Sequence, residues 1–179
     1  MKKMAWLCSV LVFCVCACAT PSAKSGPAAQ WEYEKDAITM NLKADKQLNL
    51  KDRKPHSLAL CVYQLKNPNA FNQLAGDRGG IYQLLQCQIF DPSVAVSKQI
   101  FVTPGKDVNT TLDRAEGARY VAVVAGYYGV DKDKIARLYK IPEITKRKGI
   151  LLRKTVKPGK LAIILTLGAL QIQDPPKKP

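Results

Sequence analysis

The chain has 179 residues, a formal net charge of +14 from 28 Lys and Arg against 14 Asp and Glu, and a single histidine, His56. That length gives one compact domain a full core and is short for two. One histidine excludes a multi-histidine metal centre. The basic clusters Lys51/Arg53/Lys54, Lys132/Lys134, Lys146-Arg147-Lys148 and Arg153/Lys154 lack the interleaved aromatic residues of a base-stacking platform, so nucleic acid is not expected as a partner.

The chain opens as an export signal. Lys2 and Lys3 form a positive region, residues 4–15 carry no charge, and Val15-Cys16-Ala17 lead into Cys18. A small residue directly before a cysteine is the layout of a bacterial lipoprotein signal, in which residues 1–17 are removed and Cys18 carries the lipid. The apolar run is shorter than the ~20 residues that span a bilayer, and no second basic flank stops transfer. Ala17-Cys18-Ala19 also fits an ordinary small-x-small cleavage site, which would release a secreted protein. Behind an export signal the charge points to an anionic membrane surface or an acidic protein partner.

Residues 18–30 hold the candidate lipidated cysteine and a segment rich in Ala, Ser, Pro and Gly without periodicity, which reads as a flexible tether. Its typical span is ~20 Å and its ceiling ~40 Å. The folded domain is expected over residues 31–174, with a loose Pro/Lys-rich tail at 175–179. Ile38, Met40, Leu42 and Ala44 alternate with polar residues as a half-buried strand does. Residues 45–56 form a polar, strongly basic connection that contains Leu48 and Leu50. Twelve residues is long for a hairpin loop, and long ordered loops are often functional. Residues 58–65 (LALCVYQL) form a near-continuous apolar run, suited to a central strand.

A helical insert is expected over about residues 67–91. Asn67-Pro68-Asn69 breaks the strand, Phe71 and Leu74 lie three apart, and Gly76 to Gly80 turns the chain. Ile81, Leu84, Leu85 and Ile89 then recur at helical spacing before Asp91-Pro92. Strands follow at 94–102 and 107–112. A third, 120–128, is the most strand-like run in the protein. Short segments come at 136–141 and 149–156, and a final strand at 161–172, with turns at Pro104-Gly105, Glu116-Gly117 and Pro158-Gly159. Closely spaced strands with such turns argue for an all-β sandwich.

Signals for catalysis are thin. His56 follows Pro55 in a basic loop and reads as solvated, and Cys61 with Cys87 supplies at most half of a zinc tetrahedron. There is no Gly-x-Ser-x-Gly elbow, and Gly76 to Gly80 lacks the ending of a phosphate loop. Asp131-Lys132-Asp133 begins like a calcium loop, but the later ligands are missing. No cofactor is expected beyond the covalent lipid on Cys18. Once the signal leaves and Cys18 is acylated, Cys61 and Cys87 are the remaining cysteines. An oxidising envelope permits a bond between them, two buried thiols are the alternative, and geometry decides.

The order of motifs resembles the outer-membrane lipoproteins of type VI secretion systems, the TssJ (SciN) family. The likeness covers roughly residues 31 to 130 and rests on the lipobox, Val62-Tyr63-Gln64-Leu65, Pro104-Gly105 and the run from Ala118 through Tyr127. The resemblance implies a transthyretin-like β-sandwich of two sheets with a small helical addition after the second strand. It implies an outer-membrane anchor facing the periplasm, since Ala19 follows the cysteine where an aspartate would favour inner-membrane retention. It also implies a structural, non-enzymatic role. In that role the protein binds the periplasmic domain of the inner-membrane IcmF-like component (TssM) through the loop between the first two strands, with other lipoproteins of the membrane complex as further neighbours. That loop maps onto Lys46, Leu48, Asn49, Leu50, Lys51, Arg53 and Lys54, with Leu48 and Leu50 as apolar anchors. The competing readings are an envelope lipoprotein holding an acidic glycan or lipid on its basic surface, and an envelope enzyme using clustered carboxylates.

Overall fold

The computed structural model describes residues 29–148 and 153–173. The lipobox residues Val15, Cys16 and Ala17, the lipidation candidate Cys18, the tether up to residue 28 and the tail from residue 174 lie outside them. Thirteen elements follow one another among the described residues: β1 (Glu34–Ala44), β2 (Leu58–Leu65), α1 (Asn69–Ala75), α2 (Arg78–Leu84), β3 (Val94–Val102), β4 (Val108–Arg114), β5 (Tyr120–Ala125), α3 (Lys132–Ile135), β6 (Ala136–Lys140), β7 (Glu143–Lys148), β8 (Arg153–Pro158), β9 (Leu161–Leu167) and β10 (Ile172–Gln173).

Two four-stranded sheets, in the orders β10-β9-β1-β4 and β3-β2-β5-β6, face each other as an all-β sandwich, and β7-β8 forms a separate two-stranded ribbon. Their patterns differ because their surroundings differ. In β1, Ile38, Met40 and Leu42 are buried while Thr39 and Lys43 are exposed, the alternation of a sheet wetted on one side. In β2 and β5 both faces are buried. Leu60 and Val62 pair with Ala125 and Val123 on the inner face, and Gln64 reaches across to the other sheet, donating to the Asp113 carbonyl at 2.7 Å. On the outer face Cys61 and Tyr63 pair with Val124 and Ala122 and lie under the helical insert, where the Tyr63 hydroxyl donates to the Leu84 carbonyl. Burial pushes that phenol up to about 12.

The insert is stitched down covalently. Cys61 on β2 and Cys87 after α2 form a disulfide with Cα atoms 5.3 Å apart, and the Ser97 hydroxyl on β3 donates to the Cys87 carbonyl at 2.8 Å. Gly76 to Gly80 serves the packing of the two helices: Gly76 ends α1, the Asp77 carboxylate accepts from the Gly80 N–H to start α2, and a Cβ on Gly80 would lie 2.2 Å from the Leu74 carbonyl oxygen.

The structure corrects several element boundaries. α2 ends at Leu84, so Ile89 is not on a helix and its side chain is 65% exposed. The strand from Tyr120 stops at Ala125, and Tyr127 and Tyr128 lie in the loop beyond it. The expected final strand is broken: β9 ends at Leu167, residues 168–171 turn, and β10 returns antiparallel to β9. Glu143–Lys148, which lacks apolar alternation, is a strand all the same, because its partner is β8 alone.

Strand directions give the sandwich two ends. β1 runs from Glu34 to Ala44, and β9 lies parallel to it, with Ile38 opposite Leu161 and Ala44 opposite Leu167. At ~3.3 Å per residue the ends of β1 are ~35 Å apart. The segment that enters the domain, at Trp31, lies at one end with the start of β9 and hence the root of the β7-β8 ribbon. The loop 45–56 and the β9-β10 turn lie at the other.

Candidate functional site: a pinned basic loop at one end of the sandwich

The loop after β1 is held by its own buried residues. Leu48 is fully buried in the core, and Asn49 is 4% exposed. The Asn49 amide donates to the Ser57 carbonyl at 3.1 Å, and its oxygen accepts from the Tyr128 N–H at 3.0 Å. Asn49 has φ +50°, a left-handed conformation that asparagine tolerates better than most residues. Around it, the Leu50 N–H donates to the Ala169 carbonyl at 2.8 Å and the His56 N–H to the Leu48 carbonyl at 2.9 Å. The expectation that Leu48 anchors a partner is therefore corrected: an apolar side chain in a polar loop is buried inward. Asn49 likewise holds the loop from within.

The tip is a tight turn. Lys51 and Lys54 exchange both backbone hydrogen bonds, at 3.0 and 2.8 Å, and Asp52 and Arg53 sit at φ +50° and +63°. Two consecutive left-handed residues between such a pair make a primed hairpin turn. It carries neither Gly nor Asn at those positions, which is why the sequence did not announce it. Lys51, Asp52, Arg53 and Lys54 are all exposed, as is Lys46 nearby, while Leu50 is half-buried.

Two residues that sequence reasoning missed complete the surface. Tyr128, 53% exposed, stands beside the loop with the Lys51 ammonium 4.6 Å from its ring centre and the His56 ring edge-on at 5.1 Å. Leu170, 62% exposed, follows the residue that accepts the Leu50 hydrogen bond. The apolar pattern puts Tyr128 at the end of a strand and Leu170 in the interior of one, so neither carries a signal of its own. The arrangement is a cationic turn beside an exposed aromatic ring and an exposed leucine. It can pair with acidic groups and cover apolar ones.

The other chemistry weighed from the sequence does not converge. Among the described residues no group of three or more His, Cys, Asp or Glu could hold a metal, and no helix is long and apolar enough to cross a membrane. The Asp131 carboxylate is 3.0 Å from the Lys134 ammonium, and that hydrogen bond first of all holds its pKa below the usual range. Tyr127, behind Tyr128, is buried, which raises its phenol well above 10.

The described residues thus form an all-β sandwich with a charged loop at one end, held from within by Leu48 and Asn49. Residues 36–162 match the family model of type VI secretion lipoproteins (T6SS-SciN; VasD, EvfM, TssJ), and the chain belongs to that family. It is similar in fold to the type VI secretion lipoprotein TssJ1 of Pseudomonas aeruginosa, with TM-score 0.55 and 19% identity over 79% of this chain and 93% of that one. Lip of Serratia marcescens, a membrane-bound component of the type VI secretion system, gives TM-score 0.56 and 22% identity over 79% and 98%. A chain in the structure described as the C-terminal domain of the type VI protein TssM from EAEC gives TM-score 0.57 and 13% identity over 78% and 97%. No curated protein is matched in a direct sequence comparison.

Proposed function

We propose that the protein is a structural component of the type VI trans-envelope complex, anchored by lipid on Cys18 to the outer membrane, facing the periplasm, and docked on the periplasmic domain of the inner-membrane IcmF-like component (TssM). The observation that carries the reading is the loop itself: a turn of exposed cations, fixed by Leu48 and Asn49, at the end of the sandwich farthest from where the tether joins. A bridge between two membranes needs its two attachments at opposite ends, and this fold separates them by ~35 Å of strand. Family membership and the description of the Lip protein as membrane-bound support the anchor. Lys46, Lys51, Arg53 and Lys54 steer an acidic surface to the loop, and Leu50, Tyr128 and Leu170 supply the contact area that slows release.

The test is capture of a purified TssM periplasmic domain by the lipoprotein carrying Lys51→Glu, Arg53→Glu and Lys54→Glu. Affinity should fall at least tenfold, mostly in the association rate, with thermal stability unchanged. Unaltered capture would move the interface off the loop. Separately, the chain should incorporate labelled palmitate and lose it on Cys18→Ser; uptake by the mutant would refute the anchor.

A further inference from the structure

The opposite end of the sandwich carries a second cationic feature that the docking loop does not explain. β7 and β8 pair antiparallel from Glu143↔Pro158 to Lys148↔Arg153 and belong to neither sheet. Lys146, Arg147, Lys154 and Lys157 are exposed, and none forms an ion pair among the described residues. Glu143 is the only acid on either strand. A ribbon with this composition gains nothing from facing the core, and the mutual repulsion of its cations disfavours it unless anions lie against it.

Its root is firmly placed. Ile141, fully buried, donates its N–H to the Arg119 carbonyl at 2.9 Å, and the Gly159 N–H donates to the Pro142 carbonyl at 2.7 Å. A Cβ on Gly159 would lie 3.0 Å from the Ile144 side chain, so the two strands leave the sandwich in close contact. The root also adjoins the point where the tether enters. Gln30, Glu32, Tyr33 and Glu34 share one cleft of about 510 Å³ with Thr155 to Pro158. The entering segment is fixed there: Arg114, 3% exposed, ion-pairs with Glu34 at 2.8 Å and donates to the Glu32 carbonyl at 3.0 Å, while the Arg114 and Arg119 guanidinium groups lie 5.8 and 5.7 Å from the centre of the Trp31 ring.

We propose that the β7-β8 ribbon is a second membrane contact, in which Lys146, Arg147, Lys154 and Lys157 lie on the anionic phospholipid headgroups of the leaflet that holds the lipid anchor. The inference rests on the lipidation of Cys18 proposed above. With the tether root beside the ribbon, a linker of typical span ~20 Å lets these cations come within one Debye length of the bilayer, ~8 Å at physiological salt, where the attraction is not screened out. Each lysine or arginine near an anionic surface adds to the attraction, and a basic patch joined to acyl chains is a standard way to stabilise and orient a lipid-anchored protein. The ribbon then turns the docking loop, at the far end of β1, away from the membrane and toward the periplasm.

Two measurements test this. In the first, the mature chain from residue 18 onward carrying Cys18→Ser, which lacks both signal and lipid, is sedimented with vesicles of phosphatidylglycerol and phosphatidylethanolamine and with vesicles of phosphatidylcholine. It should bind only the anionic set, and Lys146→Glu, Arg147→Glu, Lys154→Glu and Lys157→Glu together should weaken binding at least tenfold. The loop triple Lys51→Glu, Arg53→Glu, Lys54→Glu should weaken it less than threefold. Equal loss from both sets would make the attraction one of net charge and overturn the proposal, as would absent vesicle binding with retention on an acidic glycan. In the second, the acylated chain anchored in the two kinds of vesicle is treated with trypsin. Cleavage in the ribbon should be at least tenfold slower in anionic vesicles, with cleavage at Lys51 to Lys54 unchanged. Equal ribbon cleavage in both would overturn it. Flotation of the acylated chain reads the anchor independently, so its failure would refute lipidation and not the ribbon.

Discussion

The two ends of the sandwich carry similar charge and are built in opposite ways. The loop end is fastened from inside: Leu48 is in the core, Asn49 bridges Ser57 and Tyr128, and Leu50 joins the β9-β10 turn. Among the described residues the ribbon end is fastened by backbone hydrogen bonds at its root, Ile141 to Arg119 and Gly159 to Pro142, and its two strands pair with each other and with neither sheet. A fixed turn presents charges in one arrangement, which suits a protein surface of defined shape. A ribbon outside both sheets presents a smear of charge, which suits a surface without fixed positions, such as lipid headgroups. Counting lysines and arginines cannot separate the two; what lies beneath them does.

The sharpest way to break the contrast is to remove the loop's buried fastening. Leu48→Ala should destabilise the domain by about 3 kcal/mol, the cost of a vacated leucine site in a core, read as a lower urea midpoint with an unchanged m-value. It should also weaken partner capture without touching a surface residue. A change below about 1 kcal/mol would mean that the loop is held by its hydrogen bonds alone.

Asn49→Ala comes next, at about 2 kcal/mol. It removes two hydrogen bonds, leaves the Tyr128 N–H and the Ser57 carbonyl to find water, and places alanine at φ +50°. Because its amide is the link to Tyr128, hydrogen exchange at the Tyr128 N–H should speed up more than at β5. Uniform exchange changes would show that the loop and the β5 end move as one body.

How far the sequence disclosed these features follows from how each is stabilised. β1 was legible because one wet face forces alternation, and β2 because burial on both faces forces a continuous apolar run. The disulfide is open at the level of sequence, since only the 5.3 Å approach of Cys61 and Cys87 decides it. The inward direction of Leu48 was not legible: periodicity does not operate in a loop, and the hydrogen bonds that set its path involve Asn49, Tyr128 and Ala169, residues far apart in the chain. The turn at Asp52-Arg53 was hidden because its left-handed residues are not glycines, and β7 because a ribbon outside both sheets has no alternating apolar face to declare. The candidate site was thus half visible, its cations in place and its apolar half, Tyr128 and Leu170, assembled by the fold.

The smallest expected effect is the one that most sharpens the contrast. Lys154→Gln with Lys157→Gln should change folding stability by no more than about 0.5 kcal/mol, the usual range for exposed residues without partners. The sign should be toward higher stability at low salt, because removing two cations from a strand that faces Lys146, Arg147 and Ile144 across the ladder relieves repulsion. That gain should fade as salt rises and shortens the Debye length. A clear loss of stability would mean that these lysines pack against the domain, and the ribbon would then be part of the fold's framework. Neutral stability with altered vesicle binding is the pattern of charges kept for a surface outside the molecule.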